Sequence, residues 1–416
     1  MSRLFKIYAD SFKGLSLESW MLSIVMLINR TGSMVLPFLG VYMIDHLKFS
    51  LEQSGLVLAC FGVGSVIGSW LGGYLTDKIG EYYVQAGALF ISVPLFCLYP
   101  FFNTPLALGL MVFAQSIVSE IFRPANSVAI AKYARPQNLT RAFSLNRMAV
   151  NLGFSIGPAL GGLMAAYSYD LLFYGNAFFT LAAGFMYLYF FNRRQKLFRL
   201  KKERLSLQGP EIVPEPVKEK SPYTDGPFLI FCLLCAFFSM CFFQLMNTLP
   251  LFYKNDLNLS QKNIGLLMGT NGIVVVIFEM LLVHIAEKKF SPAQTLLYGT
   301  LMCALSFFLL AFNPVLAVLF LSISLLSLGE ILVLPFMATI TAQRAGITNK
   351  GAYMGANGMA FSLAFIVSPI LGTRIAETFG FSNLWIGTTI ILVACSIAFK
   401  FYVPILLKRK NQDHTF

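Results

Sequence analysis

Long apolar runs separated by short polar breaks dominate the chain. Twelve stretches of about 20 residues or more, each long enough to cross a ~30 Å hydrocarbon core as a helix, lie near 18–44, 53–76, 82–103, 105–131, 142–167, 172–192, 227–253, 262–286, 291–313, 315–342, 350–377 and 381–407. Most breaks are short and carry turn residues, as in Asn103-Thr104-Pro105. The one long break, 193–226, is polar and contains Pro210, Pro214, Pro216 and Pro222. The pattern predicts an all-α membrane protein of twelve transmembrane helices: an N-terminal six-helix bundle over 1–192, a linker over 193–226 and a second six-helix bundle over 227–416.

Composition excludes a water-soluble enzyme, since 57% of the 416 residues are hydrophobic and only 12% are charged, against about 25% in ordinary soluble domains. A net charge of +12 would suggest nucleic acid for a soluble chain. Its distribution gives another meaning. Lys and Arg number 23 in the terminal arms, linker and loops of one side, and only 3 (Lys48, Lys254 and Lys262) on the other. The positive-inside rule then predicts that both termini and the linker are cytoplasmic in a multi-pass plasma membrane protein, and no nucleic-acid partner is expected. The first sixteen residues interleave Leu4, Phe5, Ile7, Tyr8 and Phe12 with Arg3, Lys6 and Lys13, an amphipathic pattern suited to the inner membrane surface. All seven cysteines fall inside predicted helices, which gives no disulfide framework and makes Cys232-x-x-Cys235 a packing feature rather than a redox pair.

The two halves repeat. At an offset of 210, Leu47, Ser50, Gly55, Gly62, Asp77-Lys78 and Glu120 fall on Leu257, Ser260, Gly265, Gly272, Glu287-Lys288 and Glu330. At 211, Asn146, Pro158 and Gly161 fall on Asn357, Pro369 and Gly372. Parallel six-helix repeats related by an axis normal to the membrane are a transporter architecture, with the substrate site between the halves.

Two motifs carry a family resemblance. Gly73-Tyr74-Leu75-Thr76-Asp77-Lys78-Ile79-Gly80 resembles the loop signature of the major facilitator superfamily, and Gly153-Phe154-Ser155-Ile156-Gly157-Pro158-Ala159-Leu160-Gly161-Gly162 is similar to the fifth-helix signature of its proton-linked drug antiporters. In the first motif Glu81-Tyr82 stands where the family usually has two basic residues. The resemblance implies the major facilitator fold, with two pseudo-symmetric bundles, a cavity lined by helices 1, 4, 7 and 10, and conformational roles for Gly73, Asp77, Lys78, Gly80, Gly153, Gly157, Pro158, Gly161 and Gly162. The residues support this independently. Gly153, Gly157 and Gly161, like Gly64, Gly68 and Gly72, recur every four positions and leave a helix face bare for close packing. These faces serve either plain packing or a seam that slides between the halves. Asp77, at a helix end, is placed to pair with a cation or a helix N-terminus across such a seam.

A charge at bilayer depth costs at least ~2.5–3.5 kcal/mol and persists when paired or lining water. Arg30 lies midway along the first predicted helix, Glu120 and Arg123 along the fourth and Glu330 along the tenth, while the seventh supplies Gln244 and Asn247. Ser116, Glu120, Arg123 and Ser127 form one stripe. Glu120 is the leading candidate for proton coupling, with Arg30 or Arg123 tuning it; a static Glu120–Arg123 pair is the competing reading. Glu330 is a second proton candidate or a counter-ion for a cationic substrate, with a structural hydrogen bond as the competing reading, and Glu279 is a third proton candidate, unless it is a solvated group at the inner mouth. Arg147 is expected to pair with Glu120, a substrate anion or a neighbouring helix. Arg30, Arg123, Arg147, Asn29, Gln115, Asn126, Gln244 and Asn247 form the candidate substrate-binding set.

No nucleotide-binding Gly-Lys-Ser/Thr loop, His-Glu-x-x-His or Cys/His metal spacing occurs, so neither enzyme chemistry, a metal site nor a cofactor is expected, and the proton gradient is the expected energy source. The reading is a secondary transporter acting as a monomer, with small molecules, protons and the lipid bilayer as partners. It is expected to export amphipathic or drug-like compounds from a bacterial cell across the inner membrane in exchange for protons; the alternative is a symporter importing a nutrient, peptide or siderophore.

Overall fold

The computed structural model describes residues 3–207, 219–312 and 314–413. Among these, twelve helices are long and apolar enough to cross a membrane. They are α1 (Leu17–His46), α2 (Glu52–Ile79), α3 (Glu81–Phe101), α4 (Pro105–Tyr133), α5 (Pro136–Tyr167), α6 (Asp170–Leu197), α7 (Gly226–Asp256), α8 (Lys262–Lys289), α9 (Pro292–Leu310), α10 (Leu316–Arg344), α11 (Lys350–Phe379) and α12 (Phe381–Lys408). Large apolar side chains such as Leu106, Phe178 and Tyr189 remain exposed on the outside, as a surface in contact with lipid requires. The protein is a multi-pass membrane protein.

The repeat is visible in the backbone. Both α1 and α7 end in a π-helical turn, Tyr42–His46 and Phe252–Asp256. Lys48 and Asn258 then take left-handed φ values of 58° and 51°, and Ser50 and Ser260 cap the next helix through their hydroxyls. Both helices also break at mid-depth, α1 after Thr31 and α7 after Phe242.

The sixth helix departs from the expected boundary. It continues unbroken from Asp170 to Leu207, so the first part of the expected linker is helical. Its Arg, Lys, Leu and Glu residues are strong helix formers with no proline before Pro210. Residues 208–218 of the linker, and Asn313, lie outside the described residues. The N-terminal arm forms the expected surface helix, Arg3–Ser11, and its end is tied down by Arg141, which donates to the carbonyls of Ser11 and Lys13.

Helices α1–α6 pack chiefly among themselves, as do α7–α12, while α2 meets α11 and α5 meets α8. These two seams are closed at one end only. At the end carrying the basic loops, six consecutive residues of α5 (Thr140 to Leu145) and six of α11 (Tyr353 to Gly358) are buried. Successive helical positions turn by about 100°, so these segments are enclosed on every side. At the far end Phe154, Ser155 and Ile156 of α5 and Ile370 and Leu371 of α11 are exposed on consecutive positions. Open space where a Cβ would point at Gly55, Gly265 and Gly269, with nothing within 4 Å, also fits an open cleft.

Candidate functional site: a gate, an arginine cluster and a bridge between the halves

The basic end is held by two acidic residues related by the repeat. Asp77 accepts from the backbone N–H of Gly351 at 2.6 Å and Ala352 at 2.7 Å, which places its charge on the N-terminus of α11. Glu287, its repeat mate, takes the side chain of Arg141 on α5 at 3.0 Å. Close backbone approach makes the first tie possible. A Cβ at Gly73 would lie 2.5 Å from the Gly351 carbonyl oxygen, a distance that real Cβ atoms do not adopt. The expectation for Asp77 thus holds in its helix-N-terminus form. Lys78 lies over the Tyr74 ring at 5.6 Å, and Gly80 ends α2 with φ 91°, where a side chain would be strained.

The other glycine faces lie elsewhere than at a sliding seam. A Cβ at Gly153 or Gly157 would strike the α1 backbone around Arg30 and Thr31, and one at Gly161 would press on Met34 and Phe38. Gly162 faces Phe38 as well. Likewise Gly64, Gly68 and Gly72 sit against the α4 carbonyls of Phe113, Ile117 and Ile121. Both faces join helices within the first six, because bare helix surfaces let backbones come close. Pro158 is inside α5 beside this contact.

In the first six helices, Glu120 pairs with Arg123 at 3.2 Å within α4, as in the static reading. Glu120 is buried, whereas the Arg123 side chain is 44% exposed. Arg30 stands apart from this pair: its Nε is buried without a hydrogen-bond partner, and its guanidinium carbon lies 5.5 Å from the centroid of Phe154 on α5. The expected polar stripe on α4 divides, because Ser116 turns to α2 and donates to the Phe61 carbonyl.

A second cluster joins the halves. Arg147 of α5 reaches Glu279 of α8 at 2.7 Å and Glu330 of α10 at 3.2 Å. Asn271 donates to the other oxygen of Glu330 at 3.0 Å and to Ser327 at 2.9 Å. The alternative placing Glu279 at a solvated inner mouth is corrected, since its side chain is 0% exposed; the open cleft does not reach it. Arg147 pairs with these two carboxylates rather than with Glu120. No local pattern marks the trio, whose members lie 51 or more positions apart. Arg141, Glu287 and Asn271 were missed as well; the equivalence of Asp77 and Glu287 in the repeat was the available clue.

The remaining polar candidates are divided among helix contacts. Asn126 donates to Asn146 at 3.2 Å, joining α4 to α5. Gln244 and Asn247 reach the backbone carbonyl and hydroxyl of Ser368 on α11, and Gln115 donates to Ser119 at 3.0 Å within α4. Asn29 is half-buried one position before Arg30.

Two seams between the six-helix bundles, closed at one end around buried charge, belong to a helical membrane protein. Sequence comparison gives the family. The sequence pattern of the Major Facilitator Superfamily matches residues 21–288 and again 232–414, and the chain belongs to that superfamily of transporters. It is 26% identical over 375 residues to "Uncharacterized MFS-type transporter YttB" of Bacillus subtilis (strain 168), covering 89% of this chain and 91% of that protein. It is 25% identical to "Multidrug resistance protein MdtH" of Yersinia pestis (strain Pestoides F), covering 79% of each. Among solved structures, a bacterial homologue of the iron transporter ferroportin in an outward-facing state superposes with a TM-score of 0.73 at 14% identity, covering 92% of this chain and 99% of that one. The proton:xylose symporter XylE superposes with a TM-score of 0.71 at 15% identity, covering 92% and 95%. These two likenesses establish the shared fold.

Proposed function

We propose that the protein is a proton-coupled exporter of small amphipathic or drug-like molecules that works by alternating access as a monomer in a bacterial inner membrane. The basic end is cytoplasmic by the positive-inside rule, so the conformation described is open to the outside. Export fits the fifth-helix signature and the printed name of the MdtH relative, and the proton gradient supplies the energy without a cofactor.

The observation that carries the proposal is the bridge of Arg147 to Glu279 and Glu330. Two carboxylates face one guanidinium in a sealed space, so uptake of one proton brings the trio to neutrality. The bridge spans the halves and must separate if they rock apart at the basic end. Protonation therefore changes the strength of a contact that exists in one conformation, and a proton bound there is released or taken up when the protein turns. Glu120 lacks this linkage, since its partner Arg123 rides on the same helix; its place is nearer the substrate.

Reconstituted vesicles test the reading. A pH gradient is expected to drive substrate movement by wild type, and Glu330→Gln is expected to lose that drive while retaining downhill exchange of substrate. Substrate accumulation with protons moving in the same direction would replace export by import. Full gradient-driven transport by Glu330→Gln and by Glu279→Gln would remove the coupling role of the bridge.

A further inference from the structure

We infer that Arg30, with Arg123 and the Phe154 ring, forms a subsite for a monoanionic aromatic or amphipathic organic compound. This deepens the proposed function and rests on its reading of the cleft as the substrate path. Four observations converge on it.

Arg30 lies midway along α1 with a buried, unpartnered Nε, and no carboxylate is within ion-pair distance of it among the described residues. An unpaired guanidinium at membrane depth is costly, and such residues persist where they face water or a ligand. Arg123 is half-exposed in the middle of α4, where a charge persists by lining water rather than lipid. Arg30 is close enough to feel the charges of both Glu120 and Arg123.

Charge counting shows what is missing. Two guanidiniums and one carboxylate leave this group one positive charge in excess, and a single carboxylate, sulfonate or phosphate monoester monoanion would balance it. The fork of Arg30 suits such planar or oxygen-rich groups. The loss of a side chain at Gly153 brings the α5 backbone against Arg30 and sets the next residue, Phe154, under the guanidinium. That ring is 45% exposed, which leaves apolar area for a ligand's hydrophobic part beside the charge.

The scaffold itself does not demand the arginines. In the second repeat, at the offset of 210, Met240 takes the place of Arg30 and Val333 that of Arg123, and the equivalent helices pack without an arginine at either position.

The test is equilibrium binding to the full chain in lipid nanodiscs, with radiolabelled 2-naphthoate as probe and 2-naphthamide and 2-naphthylmethylammonium as its neutral and cationic counterparts. Wild type is expected to hold naphthoate about tenfold or more tightly than naphthamide, and the ammonium most weakly. Arg30→Gln should bring naphthoate within about twofold of naphthamide while leaving naphthamide binding as in wild type, which reports an intact fold. Arg30→Lys should restore part of the preference. Absence of any anion preference in wild type, preference for the ammonium, or a preference that survives Arg30→Gln would each overturn the subsite. Proton-driven flux in vesicles is measured separately: its absence alongside a naphthoate preference removes the export reading and leaves the subsite standing.

Discussion

Glu120 and Glu330 occupy equivalent positions in the two repeats but have opposite kinds of partner. Glu120 is paired three residues along its own helix, to a half-exposed arginine. Glu330 is paired across the halves to Arg147, sealed between α5, α8 and α10. A partner on the same helix stays in place as the halves move, whereas one on the other half is lost. The same acidic residue in the same fold thus has a partner on its own helix in one repeat and a partner across the halves in the other. Val333 in place of Arg123 forces the second carboxylate to seek its cation from outside its own bundle.

The largest expected effect is on the bridge itself. Arg147→Ala strands two carboxylates, and truncating one member of a buried ion pair costs about 3–5 kcal/mol. The halves should then separate at the basic end, raising inter-label distances there by spin-label spectroscopy, unless the pH is lowered to protonate the carboxylates. Retention of the closed basic end near neutral pH would break the contrast between the two glutamates.

A buried tie within the second half gives a control of similar size. Asp225 caps α7, accepts from Arg344 at 2.7 and 3.0 Å and from the Tyr353 hydroxyl at 2.8 Å. Burial pushes its carboxyl upward, but Arg344 and Tyr353 outweigh it and hold the carboxyl below the usual aspartate value of 3.8. Because the folded-state value is the lower one, this stabilisation is present above the unfolded value and is lost as pH falls through the folded one, below about 4. Asp225→Asn should lower the thermal unfolding midpoint near neutral pH, and the gap from wild type should narrow in acid. Conformation-specific accessibility should move little, because Asp225, Arg344 and Tyr353 all belong to the second half.

At the gate, Asp77→Asn removes the charge facing the α11 N-terminus and weakens two backbone hydrogen bonds, an effect of about 1–2 kcal/mol on the closed state. Cysteine accessibility at the outer mouth should fall, by at most the roughly 5- to 30-fold that such an energy allows. The Glu120 pair should respond less than the bridge. Arg123→Ala leaves one buried carboxylate without its cation where Arg147→Ala leaves two, so it should lower the thermal unfolding midpoint by less than Arg147→Ala does, while affecting substrate binding.

Much of this was legible in the chain. Twelve apolar runs gave the helices, and the offset of 210 paired Leu47 and Ser50 with Leu257 and Ser260, which the structure places at matching π-turns, left-handed residues and serine caps after α1 and α7, because those features depend on local chemistry. The Asp77 contact was foreseen for the same reason: a carboxylate at a helix end needs a positive partner. The bridge was not foreseen. Arg147, Glu279 and Glu330 meet only when two bundles dock in one conformation, and nothing near any of them in sequence names the others. The glycine faces show a related limit, since the spacing of Gly153, Gly157 and Gly161 predicts close packing but does not say that the neighbour is α1 in the same half. Likewise, the charges of 193–207 read as a linker and concealed the helix that carries them.

The most direct test compares proton coupling of Glu330→Gln and Glu120→Gln in the same vesicles, read as substrate accumulation driven by an imposed pH gradient alongside substrate exchange without one. The account predicts that Glu330→Gln exchanges substrate but no longer accumulates it, while Glu120→Gln still responds to the gradient. Gradient-driven accumulation that survives in Glu330→Gln and is lost in Glu120→Gln would contradict it.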